Sequence, residues 1–349
     1  MVKRILLVAL TLIILGCIIV GWRFFMSNTA FSQKTKYLYI RTGHATKAEV
    51  LNSLQSDTLI DNPGSFEFLA NRMDVWEKLR PGKYEVKKGT SLFDLARMLR
   101  NGRQSPVNLV ITKLRTKEDL AGLIGRKFEC DSASVLAYMN NTDTLKAYGL
   151  DSNTVMSTVF PNTYTYFWNS TPELIFKKLY AEREKFWTDE RKKAASDRGL
   201  TPESAYTLAS IVEEETNAND EKGNMASVYR NRVSKGMRLG ADPTVKFALR
   251  DFSLKRIYEK HTAVESPYNT YRVFGLPPGP ICTPSIPTLE ATINSPNTNY
   301  LYFVAKSDMS GKHQFTETYA DHMKYAKEFH KALDSIFSKK KPANEDTGH

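Results

Sequence analysis

Three consecutive glutamates, Glu213, Glu214 and Glu215, are the residues in this sequence whose type and spacing most readily suggest acid–base chemistry. They close a stretch that reads as a helix. Thr201 serves as its N-cap, Pro202 sits in its first turn, and a periodic run continues to about Thr216. At about 100° per residue, Ala205, Leu208, Ile211, Val212 and Glu215 share one stripe. Glu214 projects to the polar back and Glu213 to the flank. Two readings are open for a carboxyl on an apolar stripe. It is a helix end emerging into solvent toward Asn217 and Asp220, or it is a partly desolvated acid whose pKa is pushed upward, as acetal cleavage requires.

The residues around the glutamates carry a resemblance. Ile211-Val212-Glu213-Glu214-Glu215-Thr216 is followed by Ala226-Ser227-Val228-Tyr229-Arg230-Asn231-Arg232, then Gly236-Met237-Arg238-Leu239 and Ala241-Asp242-Pro243-Thr244-Val245. Together these resemble the signature of the MltG/YceG family of membrane-anchored endolytic murein transglycosylases. The resemblance covers roughly residues 37 to 335. It implies that Glu215 is the catalytic acid/base, the same residue that the helical projection selects.

Further segments fit the same family. Phe160-Pro161-Asn162-Thr163-Tyr164 is similar to its Pro-Asp-Thr-Tyr element, with Asn162 in place of the aspartate, so no catalytic carboxylate is expected there. Ser266 to Tyr271 and Gly275 to Pro284 are Pro- and Gly-rich loops suited to a groove wall. In them, Tyr268 and Tyr271 are expected to stack on sugar faces and Asn269 to bond hydroxyl or acetamido groups. Taken alone, either tyrosine is more often a core residue. His313 falls in a segment that resembles the family's closing His-x-Phe element. Substrate-binding roles are also expected for Glu213, Asn231, Arg232, Asp242 and His313.

The elements that must position these groups can be read in order. Ile5 to Trp22 is an uninterrupted apolar or uncharged run near the length that crosses a bilayer, preceded by Lys3 and Arg4. An uncleaved single-pass anchor is expected, with a cleaved signal peptide as the alternative. A linker over 26–36 leads to a strand from Tyr37 to Ile40 and helices over 48–54 and 66–79. A strand at Tyr84 to Val86, a turn at Lys88-Gly89 and a helix capped by Ser91 follow, with Leu92, Leu95, Ala96 and Leu99 on one face. This portion resembles part of a LysM glycan-binding module. Val107 to Ile111 reads as a strand, Pro172 to Asp197 as one long charged helix, Tyr300 to Ala305 as a strand and Tyr319 to Phe337 as a helix.

The expected fold class is α+β: an N-terminal transmembrane helix, a LysM-like α/β subdomain and a mixed α+β catalytic domain. The expected division is a cytoplasmic end at 1–4, an anchor at 5–25, the linker, the subdomain at 37–105, the catalytic domain at 106–335 and a disordered basic tail at 336–349. The formal charge of +11 over 349 residues points to anionic surroundings. No zinc knuckle, helix-turn-helix or RNP-like pattern supports nucleic acid. Cys17, Cys130 and Cys282 form no disulfide framework, the six histidines form no metal-ligand cluster, and no cofactor is expected.

The resemblance implies an endolytic lytic transglycosylase. It would cleave the MurNAc–GlcNAc bond with a single glutamate and leave 1,6-anhydro ends, as a terminator of strand elongation. The partners would be peptidoglycan strands, the inner membrane and peptidoglycan synthases, with the catalytic domain in the periplasm. A hydrolytic muramidase using Asp242 or Glu213 to activate water, and a non-catalytic glycan-binding scaffold, remain the competing readings.

Overall fold

The computed structural model describes residues 2–340. The chain begins with helix α1 (Val2–Phe25), whose Lys3–Phe25 portion is long and apolar enough to cross a membrane, with a mean hydropathy of 2.9 and none of it buried in protein. Then come β1 (Thr35–Ile40), α2 (Lys47–Ser56), α3 (Pro63–Arg72), α4 (Val75–Lys78), β2 (Gly82–Lys87), α5 (Leu92–Arg100) and β3 (Pro106–Ile111). The middle of the chain contains α6 (Lys117–Gly125), α7 (Ser132–Asn140), α8 (Thr142–Lys146), β4 (Asn162–Phe167), α9 (Pro172–Phe186) and α10 (Asp189–Ser196). The last part holds α11 (Pro202–Glu215), α12 (Lys222–Ser234), α13 (Asp242–Leu249), α14 (Glu259–Thr262), α15 (Ile286–Ile293), β5 (Tyr302–Ala305), β6 (His313–Thr316) and α16 (Tyr319–Lys340). The fold is mixed α+β, and among the described residues its sheets are three two-stranded pairs: β1 with β2, β3 with β4, and β5 with β6.

The chain divides into two compact units. The first holds everything up to Leu109 together with Gly122–Ser132 and Tyr164–Ile175. The second holds Val110–Ala121, Ala133–Thr163 and the chain from Phe176 on. The amino-terminal unit therefore recruits two later excursions, which no boundary drawn at one point along the sequence describes.

In the first unit, β1 and β2 run antiparallel with Thr35 opposite Lys87 and Ile40 opposite Gly82. Ser91 caps α5 by accepting the Asp94 N–H, and the expected face of Leu92, Leu95, Ala96 and Leu99 is fully buried. These residues pack with Leu38, Tyr84, Val86, Leu54 and Phe66 in one core. The segment expected as a linker is instead built into this unit. Asn28 N–H donates to the Thr90 carbonyl at 3.2 Å, Ser27 bridges to Ser91, and Phe31 is buried in the core. The expected helix over 66–79 is broken, because Asp74 takes a left-handed φ of 52° between α3 and α4.

The second unit is built around α11. Thr201 accepts the Ser204 N–H while the Ser204 hydroxyl accepts the Thr201 N–H, and Pro202 occupies the first turn. Every residue from Ala205 to Val212 is buried. One side packs Leu208, Ile211 and Val212 against Met225, Tyr229 and Phe247, and the other packs Ala205, Tyr206 and Ala209 against Phe160, Trp187 and Leu289. The stripe reading of this helix is corrected here: α11 is surrounded and has no solvated back. Residues 112–114 pin to Thr283, with Leu114 N–H donating to the Thr283 hydroxyl at 2.9 Å and Thr283 N–H returning to the Leu114 carbonyl at 2.8 Å.

Two other expectations differ at their edges. The long helix over 172–197 is two helices, because Thr188 accepts the Arg191 N–H and starts α10 afresh. Helix α16 runs on to Lys340, through the first residues of the expected tail. The rest of that tail, 341–349, lies outside the described residues.

Candidate active site

The three glutamates at the end of α11 have three different surroundings. Glu213 accepts from the Lys222 ammonium at 3.2 Å and the Ser285 hydroxyl at 3.0 Å, with the Thr288 hydroxyl in still closer contact. Lys222 is itself buried and also donates to Thr288 at 2.6 Å. Burial alone would push the Glu213 carboxyl up, but the Thr288 hydroxyl, the Lys222 charge and the Ser285 hydroxyl outweigh it and hold the group below its ordinary range.

Glu214 pairs with Lys113 at 2.9 Å and with Arg115 at 3.2 Å. These cations likewise overcome burial and keep it below the ordinary range. Its assignment to a polar back is therefore corrected. It lines a small cavity of about 40 Å³ with Arg115, Pro243, Lys246, Phe252 and Ile281.

Among the described residues, no cation contacts Glu215. Its recorded hydrogen bond comes from the Tyr229 hydroxyl, 2.6 Å from Oε1. Burial dominates and pushes the carboxyl up to about 7. The Tyr229 hydrogen bond pulls the other way, the Asp242 charge adds to the rise, and Lys246 and Arg232 moderate it. The residue as a whole keeps partial exposure, so solvent reaches its edge while the acid group is largely desolvated. A carboxyl with that pKa holds a proton near neutrality and can also take one back, as a group serving as both acid and base must.

Tyr229 is buried in the α11–α12 core, and the Glu215 carboxylate combines with burial to raise its own pKa well above the ordinary value. It therefore stays a hydroxyl donor. Tyr271 donates to Asp242 Oδ1 at 2.6 Å. Ala241 holds the N-cap position of α13, and Asp242 is its first residue, where the helix end favours its negative charge.

Several residues expected to touch substrate have other partners. Asn269 is fully buried, donates to the Thr262 and Val264 carbonyls and accepts the Tyr271 N–H, so its amide braces the loop and has nothing left for a sugar. Asn231 spends its side-chain N–H groups on the Thr298 and Tyr300 carbonyls. Arg232 donates to the Leu301 and Leu239 carbonyls at 2.7 Å each and reaches Glu215 only as a nearby positive charge. The Tyr268 ring packs on Phe247 with centroids 4.6 Å apart, which is the core reading. His313 is clasped by Glu221, which accepts its backbone N–H at 2.7 Å and contacts its Nδ1 at 3.0 Å. Tyr271, Asp242 and Arg232 thus remain around Glu215, while Asn231, Asn269 and His313 hold the frame.

The loop holding this frame is shaped by Gly279. A Cβ there would fall 2.1 Å from the Asn153 carbonyl oxygen, so only glycine lets the loop lie that close. Among the described residues, no group of three or more His, Cys, Asp or Glu side chains is gathered to hold a metal ion. Tyr229 and Lys222, the partners that set the two opposite carboxyl environments, went unassigned in the sequence. Tyr229 lies 14 positions from Glu215 and reads there simply as an apolar helix position.

A mixed α+β chain whose Glu215 is buried at a helix end with a raised pKa offers a site suited to acid–base chemistry. The comparisons are more specific. The description of the YceG-like family matches residues 38–328. An endolytic murein transglycosylase from Bacillus subtilis is 27% identical over 308 residues, covering 84% of each chain. One from Streptococcus pneumoniae is 26% identical, covering 78% of this chain and 55% of its own length, so this chain spans about half of that relative. The crystal structure of a protein described as YceG-like from Listeria monocytogenes superposes with a TM-score of 0.55 at 26% identity, covering 84% of this chain and 99% of that one. This chain belongs to the YceG-like family.

Proposed function

We propose that this chain is a lytic transglycosylase acting on peptidoglycan, with Glu215 as its single acid/base. The observation that carries the reading is the Glu215 carboxyl, pushed up to about 7 by burial and held by the Tyr229 hydroxyl. The names of its relatives, endolytic murein transglycosylases, supply the substrate class.

In this mechanism protonated Glu215 gives its proton to the glycosidic oxygen between N-acetylmuramic acid and N-acetylglucosamine, and the C1–O bond breaks. The carboxylate left behind takes the proton of the muramyl C6 hydroxyl. That oxygen attacks C1 and closes a 1,6-anhydro ring, so Glu215 ends protonated as it began. The nucleophile belongs to the substrate, which gives it the advantage of proximity and removes the need for a second carboxylate to activate water. Glu213 and Glu214 suit that scheme as spectators, the first paired with Lys222 and the second with Lys113 and Arg115. Tyr271 and Asp242 form the polar edge nearest the acid, where the substrate hydroxyls would lie.

In the cell, α1 would serve as an inner-membrane anchor with the two units in the periplasm. The amino-terminal unit would position glycan strands, and the cut would release strands as synthases extend them. The test is mass spectrometry of products from purified peptidoglycan. The expected result is anhydro-muramyl ends from the wild type and turnover lowered on the order of 10²-fold or more in a folded Glu215→Gln variant. Ordinary reducing ends would mean a muramidase, and no cleavage by the wild type would mean a scaffold.

A further inference from the structure

We propose that the last turn of α1 and the face of the amino-terminal unit beside it form one platform seated in the headgroup–acyl boundary of a phospholipid bilayer. The proposal goes beyond the membrane-anchor reading of α1 and rests on it.

Length places the joint. The uncharged run of α1 between Arg4 and Arg23 is 18 residues, about 27 Å at 1.5 Å each, close to a hydrocarbon core of about 30 Å. With Lys3 and Arg4 outside the core at one end, the last turn, Trp22 to Phe25, lies at the interface at the other. Trp22 and Phe25 are 68% and 63% exposed, and exposed aromatic residues at the end of a spanning helix belong at that depth.

The joint is not a swivel. Arg23 Nε donates to the Ser65 hydroxyl at 2.7 Å and its Nη2 donates to Asn62 Oδ1 at 2.9 Å. Phe24 packs against the core of the unit and stacks with Phe68 at 6.2 Å, and Phe25 meets Phe93 at 4.9 Å. Directly afterwards, Ser27 bridges to Ser91 and Asn28 N–H bonds the Thr90 carbonyl. With no free residue between helix and unit, the depth of the last turn sets the depth of whatever touches it.

What touches it suits a lipid boundary. Phe68 is 55% exposed, an apolar ring with no reason to face water when it adjoins a membrane helix. Arg72 lies over the Phe68 ring at 5.4 Å and Arg97 over the Phe93 ring at 5.7 Å, each placing a cation beside an aromatic ring. Arg97 also pairs with Asp94, so Arg72 is the freer of the two for a phosphate. A ring dipping toward acyl chains under a guanidinium at phosphate level is the usual amphipathic arrangement at such a surface. The opposite end of the unit supplies a control. Tyr39, near the Ile40 end of β1, contacts Trp168, whose neighbour Phe167 is 53% exposed, while the joint adjoins the Lys87 end of the same ladder.

The test uses the full chain in phosphatidylethanolamine–phosphatidylglycerol vesicles. Cys17 and Cys130 are replaced by serine and the buried Cys282 is left in place. A nitrobenzoxadiazole label is attached in one variant at Phe68→Cys and in another at Phe167→Cys, and the lipids are brominated near the headgroup. Quenching of the label at position 68 is expected to exceed that at position 167 by roughly threefold or more. Equal, weak quenching at both positions in protein that floats with the vesicles would overturn the platform but leave the anchor standing. Protein that fails to float, with a mature end beyond Trp22, would overturn both.

Discussion

The surroundings of Glu213 and of Glu215 lie two residues apart on one helix, yet they are electrostatic opposites. Glu213 sits with a buried ammonium and two hydroxyls, and its carboxyl is held ionised. Glu215 sits with a tyrosine hydroxyl and the repelling charge of Asp242, and its carboxyl is pushed up to about 7. Both are removed from much of the water, so burial alone does not decide the protonation state. The polar partners do: the Thr288 hydroxyl first, then the Lys222 charge and the Ser285 hydroxyl, hold Glu213 down, whereas Glu215 has only the Tyr229 hydroxyl in contact.

Linkage gives the two groups opposite pH signatures. The native state holds the Glu215 proton more tightly than the unfolded chain does. Its contribution to stability is present below about 4.5 and is lost as pH rises through about 7. For Glu213 the contribution is present above 4.5 and is lost as pH falls through its lowered native value.

Four substitutions would break or sharpen that contrast. The largest effect belongs to Glu215→Gln, whose loss of turnover is given above. The neutral amide should also make the variant more stable than the wild type above pH 7, by up to a few kcal/mol, and the gain should vanish near pH 4.5. Denaturant titrations at both values check it, and a pH-independent difference would break the contrast. Lys222→Met should come next. It leaves Glu213 buried with only hydroxyl partners and should cost about 2 kcal/mol at pH 7, read from the same titrations. The cost should shrink as acid protonates Glu213.

Tyr229→Phe removes the hydrogen bond that favours ionised Glu215. The limb along which wild-type kcat/KM falls as pH rises past about 7 should therefore move upward, by less than about one pH unit. A downward movement would mean that the hydroxyl favours the protonated acid. Glu214→Gln should do least. Its cations are more than a third exposed, so stability should change by about 1 kcal/mol or less and turnover by less than about twofold.

How far the sequence could foresee this depended on whether a feature is local. The Thr201 cap, the Ser91 cap and the buried face of α5 were legible because periodicity and capping act over a few residues. The stripe that singled out Glu215 was less sound, because α11 is buried on both sides and not along one face. What escaped was whatever depends on a partner far along the chain. Lys113 and Arg115 lie about a hundred positions from Glu214 and turn its supposed solvated back into an ion-paired pocket. Asn269 has the composition of a sugar-binding loop residue, and only the carbonyls of Thr262 and Val264 show it to be a brace. The segment 26–36 is polar enough to read as a linker. Its backbone bonds to Thr90, and its buried aromatic residue, Phe31, keys it to the core.

The clasp between residues 112–114 and Thr283 bears on how the protein is made. Leu114 and Thr283 are 169 positions apart and exchange two hydrogen bonds. During synthesis the first partner emerges long before the second exists. The cations beside it, Lys113 and Arg115, likewise wait for Glu214. The amino-terminal core of β1, β2 and α5 needs no residue beyond Arg100 to close its sheet and helix. Assembly is therefore staged. The part joined to α1 can mature while the chain is still growing, whereas the acid pocket cannot be completed until most of the chain has been delivered. A chain cut short before Thr283 would then carry a formed core of β1, β2 and α5 and an unfinished acid pocket.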